Sequence, residues 1–572
     1  MITLGIHDGH NATACLIRDG RILACIPEER MNRQKNYCGI PANAISECLK
    51  VSGVSPQEVD AVGVAGLLPP VYSLEQITAP LGFRGLYSRL SPLFPKFFLR
   101  SNQSAKFAVS ILSKLRDKQA VCRAVQAAGV RAPVAFYDHH SLHVLSAYGC
   151  SPYYRRDDEV LVLSCDGAGD AVCATVNIGK RGVLKRLHTV GHFNSLGELY
   201  ARTTQFLGMN PTSDEYKVMG LAAYANPKYA EPVYEKLKGC IEVEKNGLGF
   251  RNNTSFTKWR YLKFLKNTFE GDRFDCVSYA VQRLTETTLT AWVANAVRRT
   301  GVRKVVLSGG IFMNVKANHA ILALPEVEEL WVLPSCSDDS LSIGAAMQVS
   351  LDHGFDGFEP LKDLYFGPAY SESEIEAALA NCDASLRVEK MDNIDEHVAV
   401  NLARGKIIAR FSGRMEWGAR ALGNRSILAD PRDMRSISRI NKAIKKREFW
   451  MPYCPSVLEE RADDYFKADK GYRARYMSMA FPTLAKAQDD IPACMHVYDR
   501  TIRPQVVEKD WNPGYHRLIN AFEQETGVGA VLNTSFNLTG YPVVCFPQDA
   551  LNVFVQSDLD AVALENFYVT AK

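Results

Sequence analysis

Five of the twelve histidines fall in two short stretches: His7 and His10 in the N-terminal turn, and His139, His140 and His143 in the run from Tyr137 to His143. On a helix, His139 and His143 are four residues apart and share a face, so both imidazoles can reach one metal ion. Such a pair alone is more often structural. Two carboxylates strengthen the ligand reading: Asp166 at the end of an apolar strand pattern, and Asp338 in Pro334-Ser335-Cys336-Ser337-Asp338-Asp339, between a strand pattern and a helix pattern. Strand ends in an α/β fold converge on one cleft, which would bring the four together. Iron, manganese and zinc all suit two imidazoles with carboxylates, and spacing does not choose between them.

A second kind of chemistry is written in the C-terminal half. Residues 401–450 carry thirteen basic and four acidic side chains, a larger net positive charge than the +4 of the whole chain. Within Phe411 to Ser426, Arg414, Arg420 and Arg425 are spaced by glycines, which lets guanidinium and backbone groups approach a phosphate closely. Lys445, Lys446 and Arg447 follow, then Arg500 and Arg503, and Asn533-Thr534-Ser535-Phe536-Asn537 supplies small polar groups after an apolar strand. This half reads as the holder of a polyanionic nucleotide or acyl phosphate. In the N-terminal half, Ser308-Gly309-Gly310 opens a helix pattern and promises bare amides for an anion. Lys217 sits beside acids in Asp214 to Gly220, where a solvated loop is the simpler reading.

The elements that would position these groups are legible as patterns. Ile2 to Arg30 predicts three strands joined by turns, and Val160 to Val190 repeats the arrangement, with Asp8-Gly9 matching Asp166-Gly167. Two such halves around a cleft describe an actin-like ATPase architecture. Helical periodicity runs from Phe274 to Arg299, followed by strand-turn-helix units at Lys304 and again from Leu330 to Ser350. A loop rich in glycine and proline after Asp352 predicts a boundary between a domain of residues 1–356 and one of residues 357–572.

Length and composition bound the rest. The 572 residues suit two or three domains, and 47% hydrophobic with 23% charged residues excludes an extended disordered chain. The near-neutral charge balance argues against nucleic acid as a global partner. The fifteen cysteines contain no C-x-x-C pair, which weighs against zinc ribbons and reads as reduced thiols in a cytoplasmic protein. No membrane span and no signal peptide are expected.

Taken in order, the motifs resemble those of the ATP-dependent O-carbamoyltransferases of the nodulation and antibiotic-biosynthesis type. The likeness runs from His10-Asn11-Ala12-Thr13-Ala14 and Glu28-Glu29-Arg30 through the double histidine, Lys217 to Gly220, Ser308 to Gly310 and Gly413 to Ser426, ending at Asn533 to Asn537. It implies a duplicated actin-like N-terminal domain, similar to the tRNA threonylcarbamoyl transferase, followed by an α+β YrdC-like domain. It also implies that the second domain turns carbamoyl phosphate and ATP, with magnesium, into carbamoyl adenylate, using Arg414, Arg420, Lys446, Arg447, Arg503, Asn533 and Ser535. The adenylate then moves inside the protein to a metal, iron foremost, held by His139, His143, Asp166 and Asp338. There Lys217, Gly309 and Gly310 contact the nucleotide, and His10 takes the proton of an acceptor hydroxyl on a small molecule, a natural product or a glycan. Oligomer formation is compatible with this picture, and neither a nucleic acid nor a membrane partner is implied.

The sequence departs from the family pattern where Asn11 follows His10 in place of a common aspartate, at the Ser335-Cys336-Ser337 turn, and where Ala419 replaces a frequent proline. Two other readings stay open: a tRNA threonylcarbamoyl-modifying fusion of the same domain types, which would consume threonine and bicarbonate, and a nucleotide-binding switch without transfer chemistry. The stretch 81–123, with nine basic residues against one acid, is unexplained by the shared motifs; it reads as a lid or docking face, or as a helical subdomain with a basic face.

Overall fold

A computed structural model describes residues 1–70, 113–245, 247–254, 256, 260–381 and 385–572. Most of the basic and aromatic stretch noted above, residues 81–112, lies outside them. The chain divides into two compact units, one of Met1–Glu28 with Asn36–Leu361 and one of Glu29–Lys35 with Lys362–Lys572.

In the first unit, β1 (Ile2–His7), β2 (Thr13–Arg18) and β3 (Arg21–Pro27) form an antiparallel meander, extended by β4 (Ala61–Ala65) and β5 (Val134–Tyr137) in the order β3-β2-β1-β4-β5. A second sheet is built the same way from the meander β6 (Val160–Gly169), β7 (Val172–Lys180) and β8 (Val183–Gly191). A ribbon of β9 (Ile241–Val243) and β10 (Phe250–Asn252) intervenes, and β11 (Lys304–Ser308) and β12 (Glu329–Val332) complete the order β12-β11-β6-β7-β8. In both sheets the first meander strand pairs parallel with the added strand beside it, so the two sheets share one strand order and pairing pattern.

Strands buried on both faces read as nearly continuous apolar runs, as β1 and β4 do. The helix Leu341–Asp352 lies against them because glycines leave room: a Cβ on Gly5 would stand 1.8 Å from the Ser342 carbonyl oxygen, and one on Gly63 2.1 Å from that of Ala345. The helix His139–Cys150 approaches the same helix at Gly344, where a Cβ would lie 2.4 Å from the Leu142 carbonyl oxygen. These close contacts bury the two helices that carry or follow the histidine pair and Asp338.

The second unit is organised on a mixed eight-stranded sheet of β13 (Leu386–Lys390), β14 (Ile408–Phe411), β15 (Arg425–Ala429), β16 (Cys454–Leu458), β19 (Gln505–Val507), β20 (Ala530–Ser535), β21 (Ala561–Leu564) and β22 (Phe567–Ala571). A two-stranded ribbon of β17 (Phe481–Pro482) and β18 (Thr501–Ile502) stands apart from it. The sheet order is β13-β22-β21-β14-β15-β20-β16-β19, with parallel pairing only at β14·β21 and β16·β19. The arginine-glycine stretch is the long connection between β14 and β15, two adjacent antiparallel strands in the middle of this sheet. The protein is therefore a mixed α/β molecule. Among the described residues no helix is long and apolar enough to cross a membrane.

Candidate active site

The first unit gathers one atom from each of four side chains. His139 and His143 occupy successive turns of one helix, Asp166 projects near the end of β6, and Asp338 starts the short 3₁₀ turn before Leu341–Asp352. Their ligand atoms all lie within 4.8 Å of one another. His139 Nε2 is 3.5 Å from Asp166 Oδ2 and 3.6 Å from Asp338 Oδ1; His143 Nε2 is 3.9 Å and 3.4 Å from the same two atoms. Four donors bound tetrahedrally at about 2.1 Å from one ion stand about 3.4 Å apart, so this spacing fits a shared cation better than direct hydrogen bonds. Both Nε2 atoms and Asp338 Oδ1 are buried without a hydrogen-bond partner, which is what a ligand set requires.

Electrostatics agree with that geometry. Burial disfavours a charged His139, yet Asp338 and Asp166 outweigh it and raise its pKa to about 9. His143 is raised against the same burial by the same two carboxylates. Asp166 is held well below the ordinary carboxylate range because the histidines overcome its desolvation. Positive charge is thus favoured at the centre of the cluster, whether it comes as protons or as a metal ion. His140 is excluded from this role: its Nδ1 bonds Ser164 Oγ at 2.9 Å and its Nε2 bonds the Val172 carbonyl at 3.0 Å.

The surrounding residues fix the ligands. Asp138 caps the histidine helix by accepting from Ser141 N–H at 2.8 Å, and Asp170 accepts from His139 N–H at 2.8 Å and from the amides of Leu67 and Leu68. Gly310 N–H donates to Asp166 Oδ1 at 3.0 Å, and Gly309 N–H to the Cys336 carbonyl at 2.8 Å. The sequence suggested bare amides here; in the fold both are taken, and the turn they open is the short 3₁₀ segment Gly310–Met313. What Gly310 supplies is orientation of a ligand carboxylate. Gly309 has φ of +99°, and a Cβ there would stand 2.2 Å from the Cys165 carbonyl oxygen, so only glycine fits.

At the mouth of β1, His7 Nε2 lies 3.0 Å from the His10 carbonyl oxygen and 3.9 Å from Asp338 Oδ2. Burial lowers its pKa to about 4, so this imidazole is neutral. His10 follows on the turn that contains Asn11 at φ of +60°, and its Nε2 is buried without a hydrogen-bond partner. Asp8 forms a buried ion pair with Arg116 at 2.7 Å. Lys217 lies on the helix Glu215–Ala222, 3.3 Å from Asp214. Asp170 and Arg116 were not picked out from the sequence as site residues, because their partners lie far along the chain and no spacing pattern advertises them.

In the second unit the arginine-glycine connection is tied mainly to itself. Glu416, buried, accepts through Oε1 from the amides of Leu422, Asn424 and Arg425 at 2.8, 2.7 and 3.1 Å. Glu565 accepts from Gly413 N–H at 2.7 Å. Arg425 is fully buried over the Phe411 ring and donates to the carbonyls of Ser412, Asn424, Gly413 and Pro368. Arg414 donates to the carbonyls of Gly367 and Phe366, both at 3.0 Å. Of the three arginines that the spacing offered to a phosphate, Arg414 and Arg425 are thus engaged in holding the loop, and Arg420 is half-buried.

The remaining candidates of this unit gather around β16 and β20. Arg503 donates to Cys454 Sγ at 2.9 and 3.2 Å. Cys454 faces Asn533 across the β16–β20 pair. Asn533 Nδ2 donates to Ser456 Oγ at 2.9 Å, while its Oδ1 is buried and unpartnered. Ser535 Oγ donates to Asn537 Oδ1 at 2.7 Å, and both residues accept from the buried ammonium of Lys445. Lys446 is exposed at φ of +39°, and Arg447 lies over the Tyr453 ring. Lys445, rather than Lys446, makes the structural contacts of this basic run.

The first unit thus holds a buried His/Asp cluster with the spacing of a metal-ligand set, and the second a cation-rich loop tied largely to backbone carbonyls. Residues 2–347 match the carbamoyltransferase N-terminus family and residues 399–571 the carbamoyltransferase C-terminus family. The chain is 31% identical over 570 residues to nodulation protein NolNO of Sinorhizobium fredii, covering 98% of this chain and 79% of that protein. It is 32% identical over 441 residues to nodulation protein NolO of Bradyrhizobium diazoefficiens, covering 76% and 78%. A third relative, uncharacterized protein MJ1058 of Methanocaldococcus jannaschii, is 35% identical over 469 residues, covering 77% and 74%. A crystal structure of full-length HypF in its phosphate- and nucleotide-bound form aligns with a TM-score of 0.32 at 13% identity, over 63% of this chain and 56% of that one, too distant to argue from. The chain belongs to the carbamoyltransferase family and is a carbamoyltransferase enzyme.

Proposed function

We propose that this enzyme is an ATP-dependent O-carbamoyltransferase working in two stages, with a YrdC-like second unit forming carbamoyl adenylate and a duplicated actin-like first unit spending it. The observation that carries the reading is the convergence of His139, His143, Asp166 and Asp338, with three unpartnered buried donor atoms. In the first stage water cleaves carbamoyl phosphate to carbamate and inorganic phosphate, and the carbamate attacks the α-phosphate of magnesium-bound ATP, forming carbamoyl adenylate and expelling pyrophosphate. Arg420, Lys446, Arg447 and Arg503 offset the charge of two polyanions, Asn533 and Ser535 contribute polar contacts, and Arg414 holds the loop in place.

In the second stage an acceptor hydroxyl of a natural product or glycan attacks the carbamoyl carbon of the adenylate, forming the carbamate ester as the anhydride bond breaks and AMP leaves. A divalent ion bound by the four side chains, iron foremost with manganese or zinc as alternatives, supplies Lewis-acid polarisation of a carbonyl or phosphoryl oxygen. His10 accepts the hydroxyl proton, and Lys217, Gly309 and Gly310 line the nucleotide's path to the carboxylates. A cytoplasmic location suits the reduced thiols of the sequence.

The deciding experiment measures pyrophosphate release from ATP with carbamoyl phosphate and, separately, with threonine plus bicarbonate. Stimulation by carbamoyl phosphate alone is expected. Stimulation only by threonine and bicarbonate would transfer the enzyme to tRNA-modification chemistry, and stimulation by neither would overturn the two-stage reading.

A further inference from the structure

The first unit ends its opening run at Glu28, and the chain then enters the second unit for seven residues, Glu29–Lys35, before returning at Asn36. Glu28 stays with the first unit, accepting from Ala44 N–H at 2.8 Å and Asn43 Nδ2 at 2.6 Å. Two residues on, Arg30 is 2% exposed and counts among the largest fully buried side chains. Its two terminal nitrogens donate to the carbonyls of Glu416 and Gly418. Arg33 secures the segment by donating to the carbonyls of Val543 and Pro542 at 2.8 and 3.1 Å.

The two carbonyls that Arg30 grips flank Trp417, which is fully buried, and Gly418 stands at φ of +95°. The side chain of Glu416 collects the amides of Leu422, Asn424 and Arg425. One residue therefore has its backbone oxygen held by Arg30 while its carboxylate organises the far end of the loop that bears Arg420. A guanidinium fork spans two carbonyls in a fixed plane, which an ammonium cannot do.

We propose that Arg30 is a positioning residue for the first-stage chemistry: an arginine from the N-terminal Glu28-Glu29-Arg30 motif that sets the 413–426 loop of the second unit. The assignment rests on the two-stage reading of the function, and its test separates the two. In the full-length protein, Arg30→Met and Arg30→Lys are compared with wild type for carbamoyl-phosphate-dependent pyrophosphate release and for hydrogen exchange at the amides of Leu422, Asn424 and Arg425.

Misplacement of a binding loop by about 1 Å costs on the order of 100-fold in rate, so Arg30→Met is expected to lose about that factor in kcat with a smaller change in the KM for ATP. Its three loop amides exchange faster while those of the central sheet strands do not, and Arg30→Lys falls between. Unaltered protection of the three amides in both variants overturns the proposal, as does wild-type kcat in Arg30→Met. Uniformly faster exchange across the second unit in both variants also overturns it, because that is a general folding role. If wild type itself releases no pyrophosphate with carbamoyl phosphate, the functional reading fails, and exchange at the three amides still decides the role of Arg30. Should Arg30→Met not fold, Arg30→Lys carries the same readouts.

Discussion

Gly169 offers a way to disturb the proposed metal site without removing a ligand. It closes β6 with a backbone conformation open to any residue, so an added methyl tests space alone. A Cβ there would lie 2.2 Å from both Cγ and Cδ2 of His139 and 2.5 Å from its Nδ1. Carbon atoms in ordinary contact stand about 3.5–4.0 Å apart, so the imidazole must retreat by about 1.3 Å or more. Metal bonds tolerate about 0.2 Å, so His139 leaves the ligand set. Gly169→Ala should weaken divalent-metal binding by about 100-fold or more, equivalent to about 2.8 kcal/mol. Its overpacking should lower stability by only about 1–3 kcal/mol. Competition against a chromogenic chelator measures the first quantity and a thermal melt the second. Gly167→Ala, whose Cβ would meet nothing within 4 Å, is the matched control and should bind as wild type does. A Gly169→Ala protein that folds and binds metal within about twofold of wild type would refute the assignment of His139 as a ligand, since RT ln 2 is about 0.4 kcal/mol.

Four further outcomes follow from the structure. Because His139 holds its proton up to about pH 9 in the metal-free protein, metal uptake must displace that proton. Apparent affinity should therefore rise about tenfold per pH unit from pH 7 to 9, with matching proton release in calorimetry; pH-independent binding would remove His139 from the site. The raised pKa also stabilises the metal-free fold below the unfolded-state value near 6.5, and that contribution fades as pH climbs through about 9, so its melting temperature should fall over this window. Next, His143→Ala should abolish transfer to the acceptor while sparing pyrophosphate release, and Arg503→Met should abolish pyrophosphate release while sparing transfer from supplied carbamoyl adenylate. If both variants impair the same stage, the division of labour is wrong. Finally, Lys445→Met leaves the carbonyls of Ser535 and Asn537 without their buried donor and should cost about 1–3 kcal/mol in denaturant unfolding; a neutral result would show that this contact holds nothing.

The histidine pair was legible because it obeys a local rule: four residues apart on a helix is one face wherever that helix packs. The two meanders were legible for the same kind of reason, since turn residues and short apolar runs are local. Asp166 and Asp338 could be nominated as strand-end carboxylates, but their meeting with the imidazoles depends on β6 and β11 lying side by side and on Leu341–Asp352 packing against the first sheet.

The arginines mark where local reading stops. Composition and glycine spacing described Arg414, Arg420 and Arg425 as equals, whereas packing seals Arg425 over Phe411, spends Arg414 on two carbonyls, and assigns the loop amides to Glu416 and Glu565. Whether a cation faces a ligand or a backbone oxygen is settled by desolvation, and desolvation belongs to the whole fold: a buried guanidinium must find acceptors, and Arg414 finds them in Gly367 and Phe366, 47 and 48 residues away. Residue type and short spacing thus determined which chemistry the chain can attempt, and long-range burial decided which side chains are left to attempt it.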